Sequence, residues 1–184
     1  MIRTYYLAPA FLLLFISVFT AASARPEKEF LTPKEIEKIQ DTHEIDARVK
    51  IYLDAAALRL KTAEDRLVGK ESAPGDPLEF FTPEDMLDGY YRILKSVMMN
   101  IDEAAEKPGP NRELVGKALK NLKSSTEKAA DELQILKKLA EEKKNEGLWN
   151  RVNDAIDITS GAHEGAEYGI SKQPAPPDKK SRQK

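Results

Sequence analysis

Apolar residues recur along this chain at alternating steps of three and four, a spacing that predicts helices over most of its length. The longest row is Val115, Leu119, Leu122, Thr126, Ala129, Leu133, Leu136 and Ala140. It resembles a coiled-coil seam, and Leu114, Ala118 and Leu139 widen it into a stripe suited to a bundle. A helix over about 111–145 follows, stopped at Asn145-Glu146-Gly147. Leu87, Tyr90, Leu94, Val97, Ile101 and Ala104 predict another over 83–106. Thr82-Pro83-Glu84-Asp85 opens that helix and Pro108-Gly109-Pro110 lies past its end.

Upstream, Thr32-Pro33 with Glu35 opens a helix expected to run from about 33 to 68. Its apolar positions are Ile36, Ile39, Ile45, Val49, Leu53, Ala56, Leu60, Ala63 and Leu67. The row wobbles over 42–46, where His43 and Asp46 stand near positions that call for apolar residues. A last helix, over about 148–168, carries Trp149, Val152, Ile156, Thr159, His163, Ala166 and Ile170 on one face. Gly161, Gly165 and Gly169 form a neighbouring row. Three glycines so close suggest a frayed helix end, close packing against the first helix, or access for a ligand.

Between the first two helices, Gly69, Pro74, Gly75 and Pro77 mark a linker over 69–82, and Leu78, Phe80 and Phe81 are expected to cap one end of the core. Strand signals are almost absent. The fold class expected is all-α, an antiparallel up-down-up-down four-helix bundle over 33–170 with a lead-in at 25–32. Two of its helices would be long, roughly 50 Å against about 30–36 Å for the others. The long pair is expected to overhang, to bend or to pair with another chain, and an overhang would meet another protein or a second copy.

The first 24 residues change the picture of where the protein works. Arg3 is their only charge, an apolar run follows from Leu7 to Phe19, and Ala22-Ser23-Ala24 precedes the first charges of the remaining chain. That order is that of a secretory signal peptide cut after Ala24, and it places the mature protein in the periplasm or outside the cell. An uncleaved anchor is the alternative, since Tyr5–Ala24 is uncharged and long enough to span a bilayer. No other span is expected downstream.

Composition excludes several functions. The chain has no cysteine, hence no disulfide, thiol nucleophile, Cys-bound zinc or acylated-cysteine anchor. It has 29 basic and 31 acidic residues, and Lys172, Lys179, Lys180, Arg182 and Lys184 gather in the Pro-containing tail from 171. The remainder is therefore acidic, which argues against nucleic acid as a partner. The tail at 171–184 is expected to be disordered, and it would be drawn to polyanionic envelope surfaces if it touches anything.

Candidate chemistry is sparse. P-loop, G-x-S-x-G, G-x-G-x-x-G and H-E-x-x-H motifs are all missing, so a non-enzymatic role is expected. The one constellation worth testing pairs His43 and Asp46 with His163 and Glu167. Each carboxylate lies one helical turn from its histidine, and in a bundle whose first and last helices adjoin, the two pairs would stand at similar heights. Imidazoles and carboxylates pointing into a bundle hold transition metals, and two imidazoles ligate haem iron. The same residues also suit a non-catalytic polar layer. Met98 and Met99 suggest copper by type but serve equally as core filler.

Overall fold

The computed structural model describes residues 29–107 and 112–173. Residues 1–24, expected to be a signal peptide, the Pro108-Gly109-Pro110 segment and the residues beyond 173 lie outside the described residues. The described chain is all-helical, with five helices: α1 (Pro33–Asp41), α2 (Ile45–Leu67), α3 (Pro83–Glu106), α4 (Arg112–Glu142) and α5 (Glu146–Ser171). No described helix is long and apolar enough to cross a membrane.

Local chemistry sets the helix starts. Thr32 and Thr82 each accept a hydrogen bond from the backbone of the third helical residue, whose carboxylate bonds back to the threonine amide. A proline at the first helical position completes both devices. The Asn145 side chain caps α5 by accepting from the Leu148 amide.

The helix expected over 33–68 is two helices. Thr42 and Glu44 are extended, with φ/ψ of −96°/116° and −75°/130°. Arg48 locks this elbow, donating from Nε and Nη2 to the Thr42 carbonyl at 3.0 and 2.8 Å. Beyond the elbow α1 doubles back along α2 instead of overhanging. The wobble in the apolar row falls at this break. The other ends also shift: α4 stops at Glu142, and α5 continues to Ser171 without fraying at its glycines.

One core joins α2 to α5. The eight α4 residues of the row from Val115 to Ala140 are buried, with Leu114 and Leu139 partly so, as are Val49, Leu53, Ala56, Leu60, Ala63 and Leu67 of α2. The α5 face keeps Val152, Thr159 and Ala166 of the expected row, but Leu148, Ala155 and Ala162 take the fully buried places expected of Trp149, Ile156 and His163. Leu148, Val152, Ala155, Thr159, Ala162 and Ala166 are buried, whereas Trp149 is 39% exposed. In the α2–α3 loop Leu78 is buried and Phe81 partly so, but Phe80 is turned outward. Arg66 Nη2 ties that loop down through Ser72 Oγ and the carbonyls of Leu78 and Glu79.

α2 packs on α3 and α4, and α5 packs on the same two helices. α2 and α5 are therefore opposite one another and not neighbours. The starts of α3 and α5 meet, since Asn145 Nδ2 donates to Glu84 Oε1 at 3.0 Å. The first turns of α4 lie by the end of α5, where a Cβ at Gly116 would stand 3.2 Å from Gln173 Oε1, and further along Lys123 Nζ reaches Glu167 Oε1 at 2.7 Å.

Candidate interaction site

Among the described residues Arg59 is the largest side chain buried completely, at 1% exposure, and it is a cation in the middle of α2. A lone buried cation is costly, so its partners define the site. Both come from the chain segment that doubles back. Arg59 Nη1 and Nη2 donate to Glu35 Oε1 and Oε2 at 3.1 and 2.6 Å, a two-pronged pair. Nη2 also donates to the Phe30 carbonyl at 2.9 Å.

Glu35 serves α1 in the same geometry. Its Oε2 accepts from the Thr32 amide at 2.7 Å, closing the capping box. Burial pushes the Glu35 carboxyl up, but the Arg59 hydrogen bond, the Thr32 amide and the Arg59 charge together outweigh it. The carboxyl is held below its ordinary 4.5. Phe30 lies under the Arg92 guanidinium of α3, 4.5 Å from ring centre to Cζ, so the strap also reaches α3.

The apolar contribution of α1 is small. None of its residues is fully buried. Ile36 and Ile39 are half-buried, and Phe30 and Leu31 pack at the edge of the core. α1 is thus an amphipathic helix whose one buried polar anchor to the other helices is the Glu35–Arg59 ion pair.

Sequence reasoning treated Glu35 only as a capping residue and did not single out Arg59. A signal was present: Arg59 sits between Ala56 and Ala63 at steps of three and four, a charge on an otherwise apolar row. Such a residue asks for an acidic partner.

The four residues proposed as a metal set do not come together. His43 is exposed at the elbow, and Asp46 opens α2 with Oδ1 buried and unpaired. His163 and Glu167 are on α5, which does not adjoin α2. The two α5 residues do meet, His163 Nε2 lying 3.6 Å from Glu167 Oε1. That oxygen is already held at 2.7 Å by the Lys123 ammonium, which keeps the carboxyl low and would repel a metal shared with His163. Among the described residues no three His, Asp or Glu side chains converge to hold a metal ion.

His163 instead belongs to a chain of polar groups. The Thr126 hydroxyl donates to the Leu122 and Lys123 carbonyls at 2.9 and 2.8 Å. Its oxygen is left to accept from His163 Nδ1 at 3.1 Å, which assigns the imidazole proton to Nδ1. Together Thr126, Thr159, His163 and their apolar neighbours line a shallow groove of about 430 Å³ between α4 and α5.

The glycine row is not a close-packed seam. A Cβ at Gly161 or Gly165 would meet open space. At Gly169 it would lie 2.9 Å from Leu119 Cδ1, so the only close approach of the row is to α4 and not to the first helix. Met98 is partly buried against the core and Met99 is 54% exposed.

Comparison with protein-family models, with curated proteins and with solved structures finds no match to this chain.

Proposed function

We propose that this chain is an exported, non-enzymatic helical bundle whose work is to bind protein by seating an amphipathic helix against α2. In this reading α2 to α5 form a four-helix bundle in which the chain reverses direction at each connection. The pairings of α3 with α5 and of α4 with α5 support that arrangement. Export rests on the order of residues in the first 24 positions, and it implies a periplasmic or secreted protein.

One observation carries the functional reading. Arg59 is buried and charged, and among the described residues its hydrogen-bond partners all lie in a segment with no fully buried side chain of its own. Replacing a buried ion pair by apolar residues is often neutral or stabilising, so the pair is a poor device for stability alone. It is a good device for choosing which helix sits there. A correct occupant must bring a carboxylate to Arg59, and one that does not leaves a buried charge unpaired. The receptor is the α2 surface around Arg59; its own α1 is the occupant in the single chain.

A fluorescent peptide of residues 29–44 tests this against the full chain carrying Glu35→Ala, whose own strap is weakened. Saturable binding is expected, tighter than to the unaltered protein and lost when the peptide also carries Glu35→Ala. Absence of saturable binding, or equal binding of both peptides, would remove the proposal.

A further inference from the structure

The geometry points to a second copy of this chain as the helix that occupies the Arg59 site in trans, by reciprocal exchange of α1. This rests on the helix-seating reading above and says what is seated.

The elbow is the first ground. Residues 42–44 contain neither glycine nor proline, so nothing in them forbids helix. The apolar row from Ile36 to Leu67 reads across them with one local wobble. With the elbow straightened, 33–67 becomes one helix of about 50 Å. Its first dozen residues then stand clear of their own bundle by roughly 18 Å. Two contacts hold the bent form against the helical hydrogen bonds forgone at the elbow: Arg59 draws Glu35 back, and Arg48 holds the Thr42 carbonyl.

Symmetry is the second ground. In the bent form α1 runs opposite to the α2 it lies on, because the elbow sits at the start of α2 and Glu35 reaches Arg59 well along it. In the straight form α1 continues its own α2. It reproduces the same contact on another copy only if the two α2 helices run opposite ways. That arrangement is a two-fold dimer, the commonest closed symmetry, and each chain fills the other's site. No new interface chemistry is needed, since Arg59, Glu35 and the Phe30 carbonyl meet as before. The straight monomer leaves Arg59 without its carboxylate and is disfavoured until a second copy supplies one.

The test uses charge complementation in full-length chains. Arg59→Glu and Glu35→Arg are made separately, so that like charges face each other within each chain and within each homodimer. Opposite charges meet only across a mixed pair. Circular dichroism first establishes that each variant is helical. Native mass spectrometry of the mixture is then expected to give a 1:1 complex, about tenfold or more enriched over two-copy species in either variant alone. A second variant, Glu44→Pro, fits the bent elbow, whose φ of −75° at this residue suits proline, but breaks the straight helix. It is expected to remain a monomer at concentrations where the unaltered chain dimerises.

Mixtures that stay monomeric while both variants are helical overturn the exchange. So does a Glu44→Pro protein that dimerises as the unaltered chain does. If the charge variants do not fold, native mass spectra of the unaltered protein and of Glu44→Pro at matched concentration decide, dimers in the unaltered protein alone supporting exchange and monomers in both overturning it. Binding of the 29–44 peptide without any dimer would leave the helix-seating function standing and remove only the second copy as its occupant.

Discussion

Glu35 Oε2 lies 2.6 Å from Arg59 Nη2, joining a helix with no fully buried residue to a cation that is 1% exposed. The same oxygen caps α1 by accepting from the Thr32 amide. One carboxylate thus decides both whether α1 is a helix and where it sits.

Removing that carboxylate has a bounded cost. Breaking a buried pair commonly costs about 3–5 kcal/mol because the remaining charge is stranded. Here α1 can leave, and Arg59 then gains water. Glu35→Ala is therefore expected to raise amide exchange over 33–41 strongly while α3 to α5 keep their protection. The local loss is expected to be about 1–3 kcal/mol. Arg59→Met is expected to free α1 as well but to leave the bundle at least as stable to heat.

Acid should release α1 in the same way. The folded carboxyl of Glu35 is held below its ordinary 4.5, so the folded state binds its proton more weakly than the unfolded state does. Its stabilisation is complete above the ordinary value and is lost as pH falls through the lower, folded one. Exchange over 33–41 is expected to rise below pH 4.5 in the unaltered protein, and Glu35→Gln should remove most of that dependence.

Tyr90 and Thr159 should respond unequally to loss of their hydrogen bond. Their oxygens are 2.6 Å apart in the core between α3 and α5. The Thr159 proton goes to the Ala155 carbonyl, also at 2.6 Å, so Tyr90 is the donor. Burial holds the phenol protonated by raising its pKa well above the ordinary value. Thr159→Val strands a buried donor and is expected to cost about 1–3 kcal/mol. Tyr90→Phe leaves Thr159 bonded to Ala155 and is expected to cost only about 0.5–1.5 kcal/mol. Denaturant unfolding of the two variants measures the difference.

The α5 glycines offer a gain in stability. Gly161 and Gly165 are helical with open space where a Cβ would stand, so alanine at either is expected to add about 0.5–1 kcal/mol. Gly169→Ala must displace Leu119 Cδ1 from 2.9 Å and is expected to gain nothing. Melting temperatures of the three single variants separate these cases.

Much of this fold was legible because helical periodicity is local. The seam from Val115 to Ala140 and the paired Thr-Pro starts at 32–33 and 82–83 are features of neighbouring residues, and the structure keeps them. What depended on distant contacts was not legible. The wobble over 42–46 marks the place of the bend but not the bend itself, which is held by Arg48 on the Thr42 carbonyl and by Arg59, fifteen residues beyond Glu44. The metal set assumed that the first and last helices adjoin, a matter of helix order around the core that local spacing does not encode. Trp149 is in step with Val152 and so reads as inward, but Leu148, Ala155 and Ala162, equally in step with Val152, Thr159 and Ala166, are the residues that the core buries.

The most direct measurement of the central claim is the distance between spin labels on α1 and on the bundle, made straightforward by a chain with no cysteine of its own. Labels at Lys38→Cys and Lys95→Cys, on α1 and α3, read whether the strap is seated. Labelled chains are diluted with unlabelled protein so that each distance comes from a single chain. At neutral pH in dilute protein a single short distance is expected, replaced by a longer and broader distribution when Glu35→Ala is added. The same short distance with and without Glu35 would contradict the account, since α1 would then be held by something other than Arg59.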